Sequence, residues 1–232
     1  MSEYVFTPPE VVGLPVMGDE AKFPVRHVYC VGRNYVEHAK EMGFSGREEP
    51  FFFSKPADAL VIIPDGTEGA IHYPSKTSNL HYEMELVVAL GKGGRDIPVE
   101  EANDHIFGYA LGLDMTRRDL QGACKKQGRP WEVGKAFDES GPIGPIHPVS
   151  KTGLLEKGAI TLSVNGQMQQ NSDLDKLIWS IPESIAFLSG LFELKAGDLI
   201  FTGTPEGVGP VVVGDRLLGT FEGLGELDVR VI

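Results

Sequence analysis

The stretch that decides the fold is Leu80-His81-Tyr82-Glu83-Met84-Glu85-Leu86-Val87-Val88-Ala89-Leu90. Successive side chains of an extended strand point to opposite faces, so Glu83 and Glu85 share one face while Tyr82 and Met84 share the other. From Val87 onward the residues are apolar on both faces, which is typical of a strand that is covered on both sides. We predict a buried central strand that carries two carboxylates near its start.

These two carboxylates are candidate metal ligands. A rise of ~3.3 Å per residue separates Glu83 and Glu85 by about 6–7 Å. At an effective dielectric constant of ~20 their mutual repulsion is roughly 2–3 kcal/mol. A hard divalent cation such as Mg²⁺, which takes oxygen ligands, would replace this repulsion by attraction. The spacing alone also fits a strand end at which both glutamates reach solvent.

A second predicted strand, from Phe107 to Asp114, supplies another carboxylate. Its large side chains fill one face, whereas Gly108, Ala110 and Gly112 leave the other face nearly bare. Asp114 lies on the bare face, where another backbone or a ligand can approach closely. If this strand lies beside the first, Asp114 becomes a third oxygen ligand.

The composition restricts the class of protein. The chain has 232 residues, of which 41% are hydrophobic, enough for one β-rich domain with a sizeable core. Its 29 glycines and 16 prolines favour many turns and short strands over a helical bundle.

The charge and the cysteines limit the partners and the location. A net charge of −12 without a basic cluster argues against nucleic acid and anionic membranes as partners. The sequence has no apolar run near the ~18 residues of a membrane span and opens without a signal peptide. Because Cys30 and Cys124 are its only cysteines, we expect two free thiols and a cytoplasmic location.

The chain divides into an N-terminal arm and one larger domain. Residues 1–24 contain four prolines and little periodicity, so we expect an extended arm that packs on the body or on a partner subunit. Residues 25–232 are expected to form the domain. Local signals within it predict a helix that begins at Arg117 after the Thr116–Asp119 capping box, a hairpin at Asn165-Gly166 and a helix opened by Ser180-Ile181-Pro182-Glu183.

Further polar residues are candidates for chemistry, each with a plainer alternative. His38 and Glu41 share one face of a predicted short helix. They form either a solvated contact or a pair in which the carboxylate orients the imidazole for proton transfer. Arg118 and Gln121 share a helical face near Asp114, where the arginine could bind a substrate carboxylate or form a surface salt bridge.

Three more segments could face a ligand. Lys135 lies in the apolar stretch 131–137, and a buried ammonium needs an anionic partner. The glycine-rich loop 202–210, which contains Thr204, presents amides and hydroxyls that suit an anion, although it is also typical of an ordinary turn. Residues 43–50 are polar and form either a lid or a surface loop.

Taken together, the motifs resemble those of the fumarylacetoacetate hydrolase superfamily and follow its order from about residue 26 onward. They are Gly32-Arg33-Asn34-Tyr35 with His38 and Glu41, Phe53-Ser54-Lys55-Pro56, His81-Tyr82-Glu83-Met84-Glu85, Leu113-Asp114 with Arg118 and Gln121, Gly134-Lys135, and Thr202-Gly203-Thr204-Pro205. The resemblance implies a mixed, β-rich α+β fold: a β-sandwich roll with a few short helices, usually a homodimer. We expect no SH3-like N-terminal domain of the kind found in the larger members, because the arm is far too short for it.

The resemblance also implies roles for individual residues. The expected ligands of Mg²⁺ or Mn²⁺ are Glu83, Glu85 and Asp114. The expected catalytic residues are His38 and Glu41, which match the water-activating pair of the single-domain acylpyruvate hydrolase branch, and Lys135 beside the metal. The expected substrate-binding residues are Arg33, Arg118, Gln121 and Thr204.

The implied activity is metal-dependent hydrolysis of a carbon–carbon bond in an acylpyruvate, a small anionic 2,4-dioxo acid. Water deprotonated by His38 attacks the 4-carbonyl. Cleavage of the C3–C4 bond then leaves a pyruvate enolate, whose charge the metal and Lys135 stabilise. Within the family, the chain looks most similar to fumarylpyruvate hydrolases of the bacterial gentisate pathway, which form fumarate and pyruvate.

Other functions remain to be distinguished. Decarboxylation of oxaloacetate, or isomerisation and decarboxylation in homoprotocatechuate breakdown, needs the same enolate. Oxaloacetate decarboxylation, however, needs no activated water. A catalytically silent metal-binding member would need neither His38 nor Lys135. A glycosidase is set aside because its two carboxylates flank the sugar from different elements, whereas Glu83 and Glu85 lie side by side.

Overall fold

A computed structural model describes residues 4–37 and 47–232 of the chain. Its strands in chain order are β1 (Gly13–Pro15), β2 (Lys22–Pro24), β3 (Val28–Gly32), β4 (Phe51–Lys55), β5 (Leu60–Ile62), β6 (Glu68–Ile71), β7 (Leu80–Tyr82), β8 (Met84–Leu90), β9 (Ile106–Leu113), β10 (Thr116–Arg117), β11 (Gly141–Ile143), β12 (His147–Pro148), β13 (Ala159–Val164), β14 (Gln167–Asp173), β15 (Leu199–Phe201), β16 (Gly209–Val211), β17 (Arg216–Phe221) and β18 (Gly225–Val231). Its α-helices are α1 (Arg118–Lys126), α2 (Glu132–Lys135), α3 (Val149–Thr152) and α4 (Ile181–Leu191). Short 3₁₀ helices lie at Ala57–Ala59, Val99–His105 and Leu174–Lys176.

Two sheets pack face to face. The larger sheet has eight strands in the order β4-β3-β15-β8-β9-β11-β5, with β12 also paired to β9. The smaller sheet has five strands in the order β14-β13-β17-β18-β6. The core between them includes Leu86 and Val88 of β8, Leu162 of β13 and Val229 of β18. The predicted β-rich α+β fold with a few short helices is therefore confirmed.

A second, smaller core covers the other face of the eight-stranded sheet. Val87 and Ala89 of β8 pack there with Leu14 and Phe23, which come from the antiparallel pair β1 and β2 in the N-terminal segment. Every residue of β8 is buried, as predicted for the central strand. Full burial of a side chain such as Val87 contributes roughly 1.5–3 kcal/mol.

The predicted single strand from Leu80 to Leu90 is interrupted at Glu83. Strand β7 belongs to a three-stranded sheet with β10 and β16, whereas β8 belongs to the eight-stranded sheet. The neighbouring segment, β9 followed by β10, crosses between the same two sheets. At the crossing, the amide of Asp114 donates to the carbonyl oxygen of Glu83 over 2.8 Å. The two crossing segments therefore stay in contact where their carboxylates lie.

One predicted helix start is wrong. Helix α1 begins at Arg118, and Thr116 lies in β10, where its hydroxyl donates to the carbonyl of Asp114 over 3.1 Å. The carboxylate of Asp119 instead accepts a hydrogen bond from the hydroxyl of Thr77 over 2.6 Å. Partners distant in sequence thus replace the local capping box at this position.

Two other local predictions are confirmed. Ser180 and Glu183 form a capping box at the start of α4, with a proline in the first turn. Asn165 and Gly166 have φ angles of 51° and 78° and connect β13 to β14 as a tight hairpin. None of the helices in the described part of the chain is both long and apolar enough to cross a bilayer.

Candidate functional site

Three buried carboxylates converge where the two segments cross between the sheets. Glu83, Glu85 and Asp114 each offer an oxygen, and these oxygens lie within 4.8 Å of one another. The antiparallel pairing of β8 with β9 brings the start of one strand beside the end of the other. The structure thus brings together the three residues predicted as metal ligands.

Cationic side chains surround two of these carboxylates. Lys135 is 2% exposed, and its Nζ lies 2.6 Å from Glu83 Oε2 and 2.7 Å from Asp114 Oδ2. Lys55 Nζ lies 2.8 Å from Asp114 Oδ1, and Arg118 Nη2 lies 2.5 Å from Glu83 Oε1. Burial alone would lower the pKa of Lys135, but the Asp114 and Glu83 carboxylates outweigh it and raise this pKa. The buried ammonium therefore has the anionic partners that it needs.

Glu85 has a different environment. Within the described part of the chain, its carboxylate accepts one hydrogen bond, over 2.8 Å from the amide of Gly203. Burial raises the pKa of Glu85 well above its usual range, and the nearby Asp114 and Glu83 carboxylates raise it further. Among the described residues, no lysine or arginine forms an ion pair with Glu85. The three carboxylates offer only oxygen ligands, and such a set fits a hard divalent cation.

Arg118 and Gln121 form the wall beside the carboxylates. Both lie in the first turns of α1, and Arg118 Nη1 donates to Gln121 Oε1 over 2.8 Å. The packing is close here, because a Cβ added to Gly134 of α2 would lie 2.9 Å from the Gln121 Cβ. The first turns of α1 are therefore tightly packed against α2.

His81 supports the same arginine from the other side. Its Nε2 lies 2.9 Å from Asn79 Oδ1, and Arg118 Nε donates to its Nδ1 over 3.4 Å. Burial, together with the positive charge of Arg118, lowers the pKa of His81 to about 4. The ring is therefore neutral near pH 7 and can accept at Nδ1.

Arg33 and Thr204 also line the pocket. Arg33 follows β3 with a φ of 56°, and its guanidinium carbon lies 4.9 Å from the centre of the Phe51 ring. The hydroxyl of Thr204 donates to the carbonyl of Met84 and accepts from Gln170 Nε2, both over 2.9 Å. The threonine hydroxyl is therefore engaged within the protein.

The pocket contains residues to which no role is assigned from the sequence. Its lining is Val31, Gly32, Arg33, Phe53, Glu83, Glu85, Asp114, Arg118, Gln121, Trp131, Lys135 and Thr204. Phe53 and Trp131 are such residues, and Lys55, outside this lining, pairs with Asp114. Strand alternation in β4 offers a signal for Lys55, since it places a lysine on the same face as Phe53.

Two predicted site residues lie in a part of the chain that the structure does not describe. His38 and Glu41 lie outside the described residues, as do most of the predicted helix that carries them and the first part of the predicted lid. Their assignment as a water-activating pair stays a prediction.

Comparisons with known proteins identify the family. Residues 27–232 match the family described as fumarylacetoacetate (FAA) hydrolase C-terminal. The chain belongs to the fumarylacetoacetate hydrolase family. Its described residues have the sheet-rich architecture found in solved structures of this family, as the resemblance implies.

Members of the fumarylacetoacetate hydrolase family with different activities are similar to this chain. A fumarylpyruvate hydrolase from Ralstonia sp. is 48% identical over 184 residues, which cover 79% of this chain and 93% of the relative. The human mitochondrial oxaloacetate tautomerase is 41% identical over 206 residues, which cover 89% of this chain and 91% of the relative.

A solved structure of the same family superposes closely. The crystal structure of fumarylpyruvate hydrolase from Pseudomonas aeruginosa, in complex with Mn²⁺ and pyruvate, has a TM-score of 0.98 and 57% identity, and the match covers 99% of both chains. That homologue binds Mn²⁺, and the buried triad described above could hold a metal. Family membership and these relatives indicate a hydrolase that acts on carbon–carbon bonds.

Proposed function

We propose that this protein hydrolyses an acylpyruvate, and specifically that it converts fumarylpyruvate to fumarate and pyruvate. The observation that carries the proposal is the buried carboxylate triad with Lys135 beside it, in a pocket whose wall includes Arg118 and Gln121. The 57% identity to a fumarylpyruvate hydrolase crystallised with Mn²⁺ and pyruvate supports it.

In this proposal Glu83, Glu85 and Asp114 hold Mg²⁺ or Mn²⁺. The bound cation would polarise the carbonyl oxygens of the substrate and stabilise negative charge that develops on them. Glu83 and Asp114 have lysine and arginine partners in the described structure. The burial that disfavours ionised Glu85 makes it the ligand that gains most from a cation.

The other pocket residues act on the substrate. Arg118 places a positive charge beside the carboxylates, and together with the amide of Gln121 it would hold the pyruvate carboxylate. Water adds to C4, the C3–C4 bond breaks, and its electron pair moves to C3 to form the pyruvate enolate. Lys135 lies where its positive charge would stabilise this enolate. Protonation at C3 gives pyruvate, and the acyl group leaves as a carboxylate.

The base for this reaction is proposed to be His38. It would take a proton from the attacking water while Glu41 stabilises the resulting imidazolium. The family resemblance supports this assignment, and His38→Ala tests it, since hydrolysis should collapse in that variant. Unchanged acylpyruvate hydrolysis would contradict the assignment.

The resemblance also supports proposals about the location, the oligomeric state and the pathway of this protein. We propose that the protein acts as a cytoplasmic homodimer in gentisate breakdown. Its similarity to fumarylpyruvate hydrolases supports the pathway. Light scattering of the purified protein would test the dimer.

Oxaloacetate is the second candidate substrate. The human oxaloacetate tautomerase is 41% identical and an Escherichia coli oxaloacetate tautomerase is 43% identical. Tautomerisation and decarboxylation of oxaloacetate involve an enolate that the same charged groups could stabilise. These activities would retain the carboxylate triad but give His38 and Glu41 an accessory role.

Parallel assays distinguish the candidates. The loss of dienol absorbance is followed with fumarylpyruvate and acetylpyruvate, and oxaloacetate tautomerisation and decarboxylation are measured beside them, each with Mg²⁺, with Mn²⁺ and with a chelator. We expect metal-dependent turnover with the highest kcat/KM for fumarylpyruvate. A higher kcat/KM for oxaloacetate would favour the second candidate, and metal binding without any turnover would indicate a catalytically silent protein.

A further inference from the structure

An aromatic wall with a cation at each end lies along the pocket. At the inner end, Lys135 Nζ lies 5.0 Å from the centre of the Phe53 ring. The rings of Phe53 and Trp131 are 6.0 Å apart, and those of Trp131 and Phe51 are 5.2 Å apart. At the outer end, the Arg33 guanidinium lies 4.9 Å from the Phe51 ring. An apolar surface of three rings, tilted by 50° and 87° to one another, therefore lies between two positive charges.

The backbone that carries Arg33 is held in an uncommon conformation. A φ of 56° is rare for an arginine. The next residue, Asn34, fixes the turn, because its Nδ2 donates to the carbonyls of Trp179 and Thr202 over 2.9 and 2.8 Å. Gly32 leaves no space for rearrangement, since an added Cβ would lie 2.0 Å from the Phe51 ring. A strained backbone conformation of this kind persists only where neighbouring residues fix it, and it is often found at binding sites.

The pocket lining carries three cationic side chains, Arg33, Arg118 and Lys135, beside its three carboxylates. Burial lowers the pKa of Lys125 on α1, and the nearby Arg33 and Arg118 lower it further. Burial also lowers the pKa of Arg33, an effect that the nearby Glu48 carboxylate opposes. Arg33 and Arg118 therefore both lie near Lys125, and cations grouped in this way attract an anion.

We propose that Arg33 binds a second carboxylate at the acyl end of the substrate, so that the site selects dianionic acylpyruvates over monoanionic ones. This inference rests on the proposed function. The pyruvate carboxylate would lie at Arg118, the conjugated acyl chain would lie against Phe53 and Trp131, and Arg33 would bind the far carboxylate with its guanidinium fork. Arg33 would then determine specificity for the acyl group without taking part in bond cleavage.

The first test uses the unmodified protein and three substrates. Fumarylpyruvate is planar and dianionic, crotonylpyruvate is equally planar but carries a methyl group in place of the far carboxylate, and acetylpyruvate is short and monoanionic. We expect kcat/KM for fumarylpyruvate to exceed that for crotonylpyruvate by about 10- to 100-fold, the usual effect of a hydrogen bond to a charged group.

The second test removes the guanidinium. Arg33→Met should lower kcat/KM for fumarylpyruvate by about the same 10- to 100-fold, mainly through KM, and lower kcat/KM for acetylpyruvate far less, so that the preference for the dianion is lost. Arg33→Lys should retain part of the preference because it keeps the charge without the fork. Arg129→Met is the matched control, since this exposed arginine lies close to Trp131 in sequence but outside the pocket lining.

The outcomes separate the two proposals. Equal kcat/KM values of the unmodified protein for fumarylpyruvate and crotonylpyruvate would overturn the role of Arg33 and leave acylpyruvate hydrolysis standing. An equal loss for all substrates in Arg33→Met would also overturn it. If the unmodified protein turns over no acylpyruvate, the proposed function fails, and this inference fails with it.

Discussion

At the scale of single residues, Thr204 shows how a pocket residue can serve the fold. Its hydroxyl links the Met84 carbonyl to the Gln170 amide, and the side chain is 3% exposed. Thr204→Val keeps the shape but removes one hydrogen bond from each of these two partners. We expect the free energy of unfolding to fall by about 1–3 kcal/mol while KM for fumarylpyruvate changes little.

Urea unfolding and steady-state kinetics of the same preparations measure the two effects. Thr204→Ser keeps the hydroxyl and should behave like the original protein. Unchanged stability with a raised KM in Thr204→Val would show that the hydroxyl binds substrate instead.

Local patterns predicted some site residues and not others. Glu83 and Glu85 were predictable because the alternation of one strand places both on the same face. Lys55 was not assigned, because its partner Asp114 lies on a different strand of the eight-stranded sheet. A lysine within an aromatic strand predicts that the lysine is buried. Which carboxylate it pairs with depends on how strands distant in sequence lie beside one another.

At the scale of elements, the start of α4 combines a capping box with an ion pair. The Glu183 carboxylate accepts from the Ser180 amide over 2.9 Å, and Arg47 Nη2 lies 2.5 Å from it. Partial burial would raise the pKa of Glu183, but the hydrogen bonds from Arg47 and Ser180 outweigh it, so this pKa is lowered. The carboxylate therefore stabilises the folded state above the usual glutamate pKa of about 4.3.

This stabilisation should be lost as the pH falls through the lowered pKa of the folded state. Glu183→Gln should reduce the free energy of unfolding near neutral pH by about 1 kcal/mol and make it less sensitive to pH between about pH 5 and pH 3. Urea unfolding across that range measures the effect. Glu193→Gln, an exposed change just beyond the same helix, is the control, and an equal pH response in both variants would contradict the assignment.

The element boundaries near the site were harder to predict than the elements. The alternation from Leu80 to Leu90 runs unbroken through Glu83, so nothing local marks the change of sheet. The Thr116–Asp119 pattern was misleading for a similar reason, because Asp119 bonds Thr77 from a distant segment. The hairpin at Asn165-Gly166 and the cap at Ser180 were predictable because their partners lie within the same few residues.

At the scale of the whole molecule, the carboxylate triad predicts a link between metal binding and stability. A cation that binds only the folded state, present at about 100 times its Kd, adds about 2.7 kcal/mol. For a chain of this size, that should raise the unfolding temperature by about 5–10 °C. Calorimetry with Mn²⁺ against chelator measures the shift.

Glu85→Gln should abolish this shift without harming the fold. Because burial raises the pKa of Glu85, the folded state binds its proton more tightly than the unfolded chain does. Its ionisation therefore lowers stability as the pH rises, and glutamine removes that effect. In chelator the variant should be at least as stable as the original protein near pH 7. Glu226→Gln on the exposed face of β18 should keep the full Mn²⁺ shift, and a retained shift in Glu85→Gln would exclude that residue as a ligand.

The general architecture of the molecule was predictable, and the way its N-terminal segment covers the larger sheet was not. Alternation and turn residues indicated many short strands, and the ordered motifs implied the sandwich. The packing of Leu14 and Phe23 beneath the central strand could not be read from the sequence, because apolar residues scattered among prolines without a clear period do not reveal which surface they cover.

The register of β8 against β9 limits how relatives of this chain can differ in length. Glu85 lies opposite Gly112, and Met84 lies opposite Leu113. A one-residue insertion or deletion between Glu83 and Glu85, or between Gly112 and Asp114, would turn the carboxylate beyond it to the other face and carry it away from the others. Evolutionary gains and losses of residues should therefore avoid these strands and collect at exposed tips such as Gly166, where an added Cβ meets no atom within 4 Å.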